Sequence, residues 1–156
     1  MNFDILHMKN IKSTDNTEHY IGFRKMHVET FGEESTLKME EELPRKRNCH
    51  LWIAYDISQP PGERVLGFKL GYEMEVDEYY SWRGSVSPKC RKTGIGSALM
   101  IAQHDWCKEM GYKRIQTRTR NQWKDMLILN LKHGFNISGT ILDENNRTKI
   151  ILEKDL

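Results

Sequence analysis

Arg91-Lys92-Thr93-Gly94-Ile95-Gly96-Ser97 stands between two segments of different character. Ahead of it, Tyr79-Tyr80-Ser81-Trp82-Arg83-Gly84-Ser85-Val86 reads as an extended segment stopped by Ser87-Pro88. Behind it, Ala98 to Met110 reads as a helix closed by Gly111. A strand that feeds a glycine-bearing turn at the start of a helix aims several backbone N–H groups at one spot. The helix dipole adds partial positive charge there, which favours an anion such as a pyrophosphate. Arg91 and Lys92 bring full positive charge to the same turn, and Gly94 and Gly96 let a ligand approach the backbone. The stretch predicts a phosphate cradle.

Two well-known cradles do not fit it. The Walker type needs a lysine directly after its second glycine, and none follows Gly96. The dinucleotide type needs a third glycine where Leu99 stands, inside a repeating βαβ unit that this chain lacks. The order that remains, a strand ending Val-Ser-Pro and then Arg-x-x-Gly-x-Gly, resembles the acetyl-coenzyme A loop of the GCN5-related N-acetyltransferases. Downstream, Lys113 to Arg120 reads as a strand, Asn121 breaks it, and Trp123 to His133 reads as a helix that Gly134-Phe135 ends. The resemblance includes this second block, in which a strand, an Asn-led turn, a short helix and Gly-Phe follow one another. It is sharp from Val65 to Lys154, and upstream it rests on the order of elements.

That order is β-α-α-β-β-β-α-β-α-β-β. Phe3 to Met8 alternates as a first strand, and Asp15 and Thr17 can cap a helix whose apolar positions run from Tyr20 to Phe31. A charged helix over Glu33–Leu43 is stopped by Pro44. His50–Tyr55 and Arg64–Met74 pair across Pro60-Pro61-Gly62, and Phe135–Leu142 and Lys149–Lys154 make a last hairpin. No linker or repeat interrupts residues 1–156, which predicts one domain. The resemblance implies an α+β fold, an α/β/α sandwich with a mixed, mostly antiparallel central sheet and helices on both faces.

Global properties agree. The chain has 156 residues, a net charge of +2 and 29% charged residues, so neither nucleic acid nor a membrane surface is implied as a partner. No apolar run approaches the ~20 residues of a membrane span, and the first residues lack the apolar core of a signal peptide. Cys49, Cys90 and Cys107 are odd in number and widely spaced, which predicts free thiols, no metal site and a cytoplasmic setting. Cys90, beside Lys89 and Arg91, is a place where a thiol pKa could fall.

The resemblance implies an N-acetyltransferase that moves an acetyl group from acetyl-CoA to a primary amine of a small molecule or peptide, by direct attack in a ternary complex. A non-catalytic acyl-CoA-binding module on the same fold is the alternative. Arg91, Lys92, Thr93, Gly94, Ile95, Gly96 and Ser97 would hold the pyrophosphate, and a backbone N–H near Val86 would meet the thioester oxygen. Asn121 would turn the chain toward the pantetheine or cap the next helix. The position four residues before the Gly of Gly-Phe, often a Tyr that protonates the departing thiolate, is here Asn130. Asn cannot give up a proton, so Asn130 would at most hydrogen-bond the cofactor. Glu73, Glu75 and Glu78 are candidate bases with an exposed acidic edge as the plainer reading, and Glu40, Glu41 and Glu42 could wall an acceptor site. His104 reads as a surface or boundary residue, and Arg114, Arg118, Arg120 and Lys124 as a basic cluster near the phosphates. Family members often pair, which allows a homodimer.

Overall fold

The computed structural model describes residues 2–156 and contains seven strands and four α-helices. The strands are β1 Asp4–Met8, β2 Arg47–Tyr55, β3 Val65–Glu75, β4 Glu78–Val86, β5 Arg114–Thr119, β6 Asn136–Leu142 and β7 Thr148–Asp155. The helices are α1 Glu18–Phe31, α2 Glu33–Glu42, α3 Ile95–Glu109 and α4 Lys124–Lys132. One sheet in the order β1-β2-β3-β4-β5-β7-β6 carries every strand, and β4–β5 is its parallel pair while the others are antiparallel. This is the expected sandwich.

Local chemistry explains the boundaries. Thr17 is the N-cap of α1, its hydroxyl accepting from Tyr20 N–H, and Asp15 in turn accepts from Thr17 N–H. The helix expected to reach Leu43 ends at Glu42, and Leu43–Arg45 tightens into a 3-10 turn because Pro44 cannot continue the α ladder. Helix α3 starts three residues earlier than expected, at Ile95, since Gly94 itself takes the cap position.

Alternation in β2 and β3 divides the core in two. Leu51, Ile53, Phe68 and Leu70 face α1 and α2, where the rings of Phe23 and Phe68 meet edge to face at 4.8 Å. Trp52, Ala54 and Leu66 face α3, with Leu99, Met100 and Cys107. Each large side chain fully buried this way contributes about 1.5–3 kcal/mol. Strand β4 and helix α3 crowd β3 so closely that a Cβ on Gly71 would stand 2.5 Å from the Tyr79 ring, 2.8 Å from the Tyr80 carbonyl oxygen and 2.9 Å from Gln103 Nε2.

The feature that shapes the site is a defect in the middle of the sheet. Parallel pairing of β4 with β5 covers Glu78–Ser81 against Arg114–Thr117 and then stops. At that point the register of β4 against β3 shifts: Gly71 faces Ser81 and Leu70 faces Arg83, which leaves Trp82 as an extra residue. Such a bulge bends its strand and increases the local twist. The last tie is the Thr117 hydroxyl, which donates to the Ser81 carbonyl at 3.0 Å. Beyond it β4 stays on β3 and parts from β5.

A Gly71→Ala substitution should therefore destabilise the protein by about 1–3 kcal/mol through overpacking. Gly139→Ala, where a Cβ would meet nothing within 4 Å, should stay within about 0.5 kcal/mol. Urea unfolding of the two variants checks this, and equal effects would contradict the crowding of Gly71 by β4 and α3.

Candidate acyl-transfer site

The cradle is built where β4 ends. After Pro88–Cys90 turns once as a 3-10 helix, Lys92 and Gly94 both take left-handed backbone, with φ of 62° and 87°. Only glycine adopts that conformation without cost, which explains Gly94, around which a Cβ would find open space. Gly96 has a different reason: a Cβ there would stand 2.9 Å from Leu129 Cδ2, so its absence lets α4 lie against α3. The first bond into α3 is Ala98 N–H to the Gly94 carbonyl, at 3.0 Å. The N–H groups of Ile95, Gly96 and Ser97 thus have no partner within the helix, and no side chain caps them. These donors, the helix dipole, Arg91 and Lys92 converge on one mouth of a cavity of about 740 Å³.

The cavity runs from this cradle into the gap between β4 and β5. Ser87 N–H donates to the Leu66 carbonyl in β3 at 2.8 Å. Backbone groups alternate along a strand, so Val86 and Gly84 turn their N–H and C=O groups the other way, into the gap. On the α3–α4 side the gap is bordered by Lys69, Gly84, Val86, Ile95 and Leu129. On the α1–α2 side it is bordered by Phe31, Tyr80, Trp82, Arg83 and Arg118. The Arg83 guanidinium lies 4.9 Å over the Phe31 ring and donates to Ser35 Oγ at 3.1 Å, while Arg118 lies 5.9 Å over Tyr80. Nine lysines and arginines border the whole cavity against one carboxylate, Asp125. It is a slot for an anion at one end and for an apolar or aromatic group at the other.

Most of the sequence-predicted residues meet here. Val86, Arg91, Lys92, Gly94, Ile95, Gly96 and Ser97 border the cavity. Thr93 belongs to the same turn, but its hydroxyl folds back to donate to the Cys90 carbonyl. Asn121 is an exposed turn residue away from the cavity wall, and Trp123, not Asn121, is the cap residue of α4. Asn130 is neither on the surface nor on the cavity wall: it is 1% exposed, on the inner side of α4, and its Oδ1 has no hydrogen-bond partner among the described residues. Its backbone carbonyl accepts from His133 and Phe135 N–H groups and so closes the end of α4.

Several other expectations are corrected. Glu73 accepts from the Tyr112 hydroxyl at 2.8 Å and pairs with Arg47, and Glu78 pairs with Arg114. With Glu75, they lie at the end of the β3–β4 hairpin opposite the cradle, because the register that places Val86 beside Gly67 places Glu78 beside Glu75. Glu40 is engaged by Tyr20 and Arg24. The basic cluster is split along β5: Arg114 sits among Glu78, Glu153 and Asp155, while Arg118, Arg120 and Lys124 border the cavity, with Arg120 paired to Asp143 at 2.8 Å. Cys90 is buried, as are Cys49 and Cys107. His104, expected near the surface, is 5% exposed, with its Nδ1 accepting from the Lys154 ammonium at 2.9 Å. Burial and the neighbouring cations Lys154 and Lys69 push its ring down to about 3. Among the described residues no helix is long and apolar enough to cross a membrane, and no group of three His, Cys, Asp or Glu could hold a metal.

Lys69 was missed. It sits in the middle of β3 at 5% exposure, and burial brings its ammonium down to about 8. The sequence did carry a signal, since Gly67-Phe68-Lys69-Leu70-Gly71 puts a lone cation between two glycines on one face of an otherwise apolar strand.

The model of the acetyltransferase (GNAT) family matches residues 18–135, which takes in both the cradle and the gap. The chain belongs to the GNAT acetyltransferase family. No curated protein matches its sequence at a significant level. Among solved structures it is similar to a GCN5-related N-acetyltransferase from Kribbella flavida, with TM-score 0.69 and 16% identity over 97% of this chain and 98% of that one. A GNAT acetyltransferase from Elizabethkingia anophelis with acetyl-CoA bound gives TM-score 0.68 and 17% identity over 97% and 98%. The NatC complex bound to Gag peptide and CoA gives TM-score 0.74 and 15% identity over 98% and 99%. At these identities the likeness is one of fold.

The protonation of His104 gives a test of the packing behind the site. Its folded-state pKa is depressed from 6.5, so below about pH 6.5 the unfolded chain takes up a proton that the folded chain refuses. Stability contributed by the neutral ring is therefore present above pH 6.5 and is lost as pH falls toward about 3. His27 and His50, pushed down to about 4 by burial, act in the same sense. His104→Gln should flatten the loss between about pH 6.5 and 5 by up to about 1.4 kcal/mol per pH unit, measured by urea unfolding. An unchanged slope would contradict the neutral, buried ring.

Proposed function

We propose that this GNAT-family chain is an N-acetyltransferase that moves the acetyl group of acetyl-CoA onto a primary amine by direct attack in a ternary complex. The observation that carries this reading is the gap between β4 and β5, which crosses the sheet from the cradle to the aromatic mouth. Its chemistry suits the donor. Arg91 to Ser97 would hold the pyrophosphate on free N–H groups and positive charge, and Gly84 and Val86 offer unpaired backbone groups to the amides of the pantetheine arm. Acetyl-CoA supplies an acyl carbon already activated as a thioester.

The chain's own groups do the rest. A backbone N–H of β4 aimed into the gap would stabilise charge on the thioester oxygen, an effect worth about 2.7–4 kcal/mol where such donors have been removed. The acceptor would enter from the α1–α2 side, where Phe31, Tyr80 and Trp82 can pack its carbon skeleton and exclude water. Holding amine and thioester in one slot supplies the proximity term. The acceptor is a small molecule or a peptide amine; the Gag peptide and CoA named with the NatC complex fit the second kind.

Thermal unfolding with acetyl-CoA, CoA and ATP added separately tests this. A ligand that binds only the folded state stabilises it by about 2.7 kcal/mol at a hundredfold excess over its dissociation constant. The expected result is a rise with acetyl-CoA and CoA well beyond that with ATP. The rise should disappear in Gly94→Asp, which adds a side chain at φ 87° and a negative charge to the cradle. Thiol release with a panel of amines then separates catalysis from mere binding. No shift with either thioester or thiol would remove the assignment.

A further inference from the structure

We propose that Lys69 serves the leaving group: its ammonium meets the sulfur of coenzyme A as the acetyl group departs, balancing the thiolate charge and supplying its proton. This inference rests on acetyl-CoA being the acyl donor. It gives the proton transfer a residue that lies in the site, where Asn130 does not.

The placement is specific. Lys69 stands opposite Gly84 in the β3–β4 register, and both belong to the face of the sheet covered by α3 and α4. Its side chain lies flat across β4: Cδ, Cε and Nζ are all 3.2–3.3 Å from the point where a Gly84 Cβ would stand. Any other residue at 84 would occupy that path. The ammonium therefore reaches the wall of the gap at the strand position whose backbone groups turn into it.

Nothing in the chain balances this charge. Among the described residues Lys69 makes no ion pair and no hydrogen bond, and it stacks on no aromatic ring. The charged or titratable groups that bear on the same region are His104 from α3, His133 after α4 and Lys154 from β7. None is an acid. A buried cation without a partner is costly, and if its role were only to fill space a methionine of similar length would do so without that cost. The environment has instead been left short of one anion.

The chemistry of the donor says which anion that is. Its phosphates belong at the cradle, and Gly84 lies two residues, or about 6.6 Å, farther along β4 than Val86. Between phosphate and acyl group the pantetheine arm carries only neutral amides and an alcohol. The charge that arises along it during the reaction is the one on sulfur. The acceptor nitrogen forms its bond to the acetyl carbon, the carbon–sulfur bond breaks, and the electron pair of that bond goes to sulfur. Lys69 gives sulfur a proton and becomes a neutral amine. It is recharged by the proton that the acceptor nitrogen sheds, directly or through solvent, so neither oxidant nor further reactant is needed. Burial, which brings the ammonium to about 8, makes it a readier donor than an exposed lysine.

The test needs no acceptor. CoA is bound to the wild-type protein, and ionisation of its thiol is followed by the ultraviolet absorbance of the thiolate as pH is raised, beside free CoA. An ammonium within hydrogen-bonding reach should lower the thiol pKa by about one unit or more, and Lys69→Met should abolish that depression while CoA still binds. A bound thiol in the wild type that ionises at or above the value of free CoA would overturn the proposal, as would a depression that survives in Lys69→Met. The wild-type titration alone still supports or overturns the proposal if the variant fails to fold. A stable acetyl mark on Lys69 after incubation with acetyl-CoA, read by peptide mass, would also overturn it, because an acetylated amine is no longer an acid. Failure of the wild type to bind CoA is separately visible in the same experiment and would remove the donor assignment and this inference together.

Discussion

The structure depends on a place where hydrogen bonding is given up. A sheet is stable because each interior strand satisfies its backbone on both sides, and an unpaired buried N–H or C=O costs about as much as a lost hydrogen bond. Strand β4 keeps β3 along its whole length but keeps β5 only as far as Ser81. The extra residue Trp82 bends it away at that point. What results is a sheet cut open from one edge of its middle, with backbone groups of Gly84 and Val86 facing the cut. The hydrophobic cluster under α3 holds the halves together, since it joins Trp52 and Ala54 of β2 and Tyr79 of β4 to Ile115 of β5 and to Ile150 and Leu152 of β7, while α1 and α2 brace β2 and β3 from the other face.

Charge is distributed around that cut in a way that packing does not require. The chain as a whole is nearly balanced, at +2 over 156 residues, and away from the cavity several arginines meet carboxylates: Arg24 meets Glu33 and Glu40, Arg64 meets Glu18, and Arg114 meets Glu78 and Glu153. Around the cavity this balance fails: nine lysines and arginines border it against one carboxylate, and Lys69 is buried there without an acid. The protein spends stability to keep positive potential in a water-poor slot, where each charge acts more strongly than it would in solvent. An anionic donor restores the balance, so ligand binding and stability are coupled at this one place.

The order of elements and the cradle were legible in the sequence because each rests on local chemistry. Gly94 and Gly96 after Arg91, Pro44 after a charged helix and Thr17 before an apolar stripe act within a few residues of themselves. What sequence could not show was the third dimension of the same residues. Glu73 and Glu78 are near the cradle in sequence yet end at the far tip of a hairpin, because strand register carries them away from Val86. Counting along α4 arrives at Asn130, but the helix turns that position into the core and presents Leu129 to the cavity. Lys69 was passed over because it lies seventeen positions before Val86 and becomes its near neighbour only through pairing with Gly84. His104 was misplaced for a related reason: β7 and the end of α4 bring Lys154 and Phe135 against it, which buries a position that the helix pattern alone places at its boundary.

Hydrogen exchange along β4, measured with and without CoA, tests the central claim most directly, because it reads the backbone groups that the open strand leaves unpaired. The account predicts that CoA slows exchange at Gly84 and Val86 and at the first N–H groups of α3, with Glu78–Ser81 little changed since β5 already pairs with them. Protection confined to other parts of the sheet, or none at Gly84 and Val86 while CoA is bound, would contradict it.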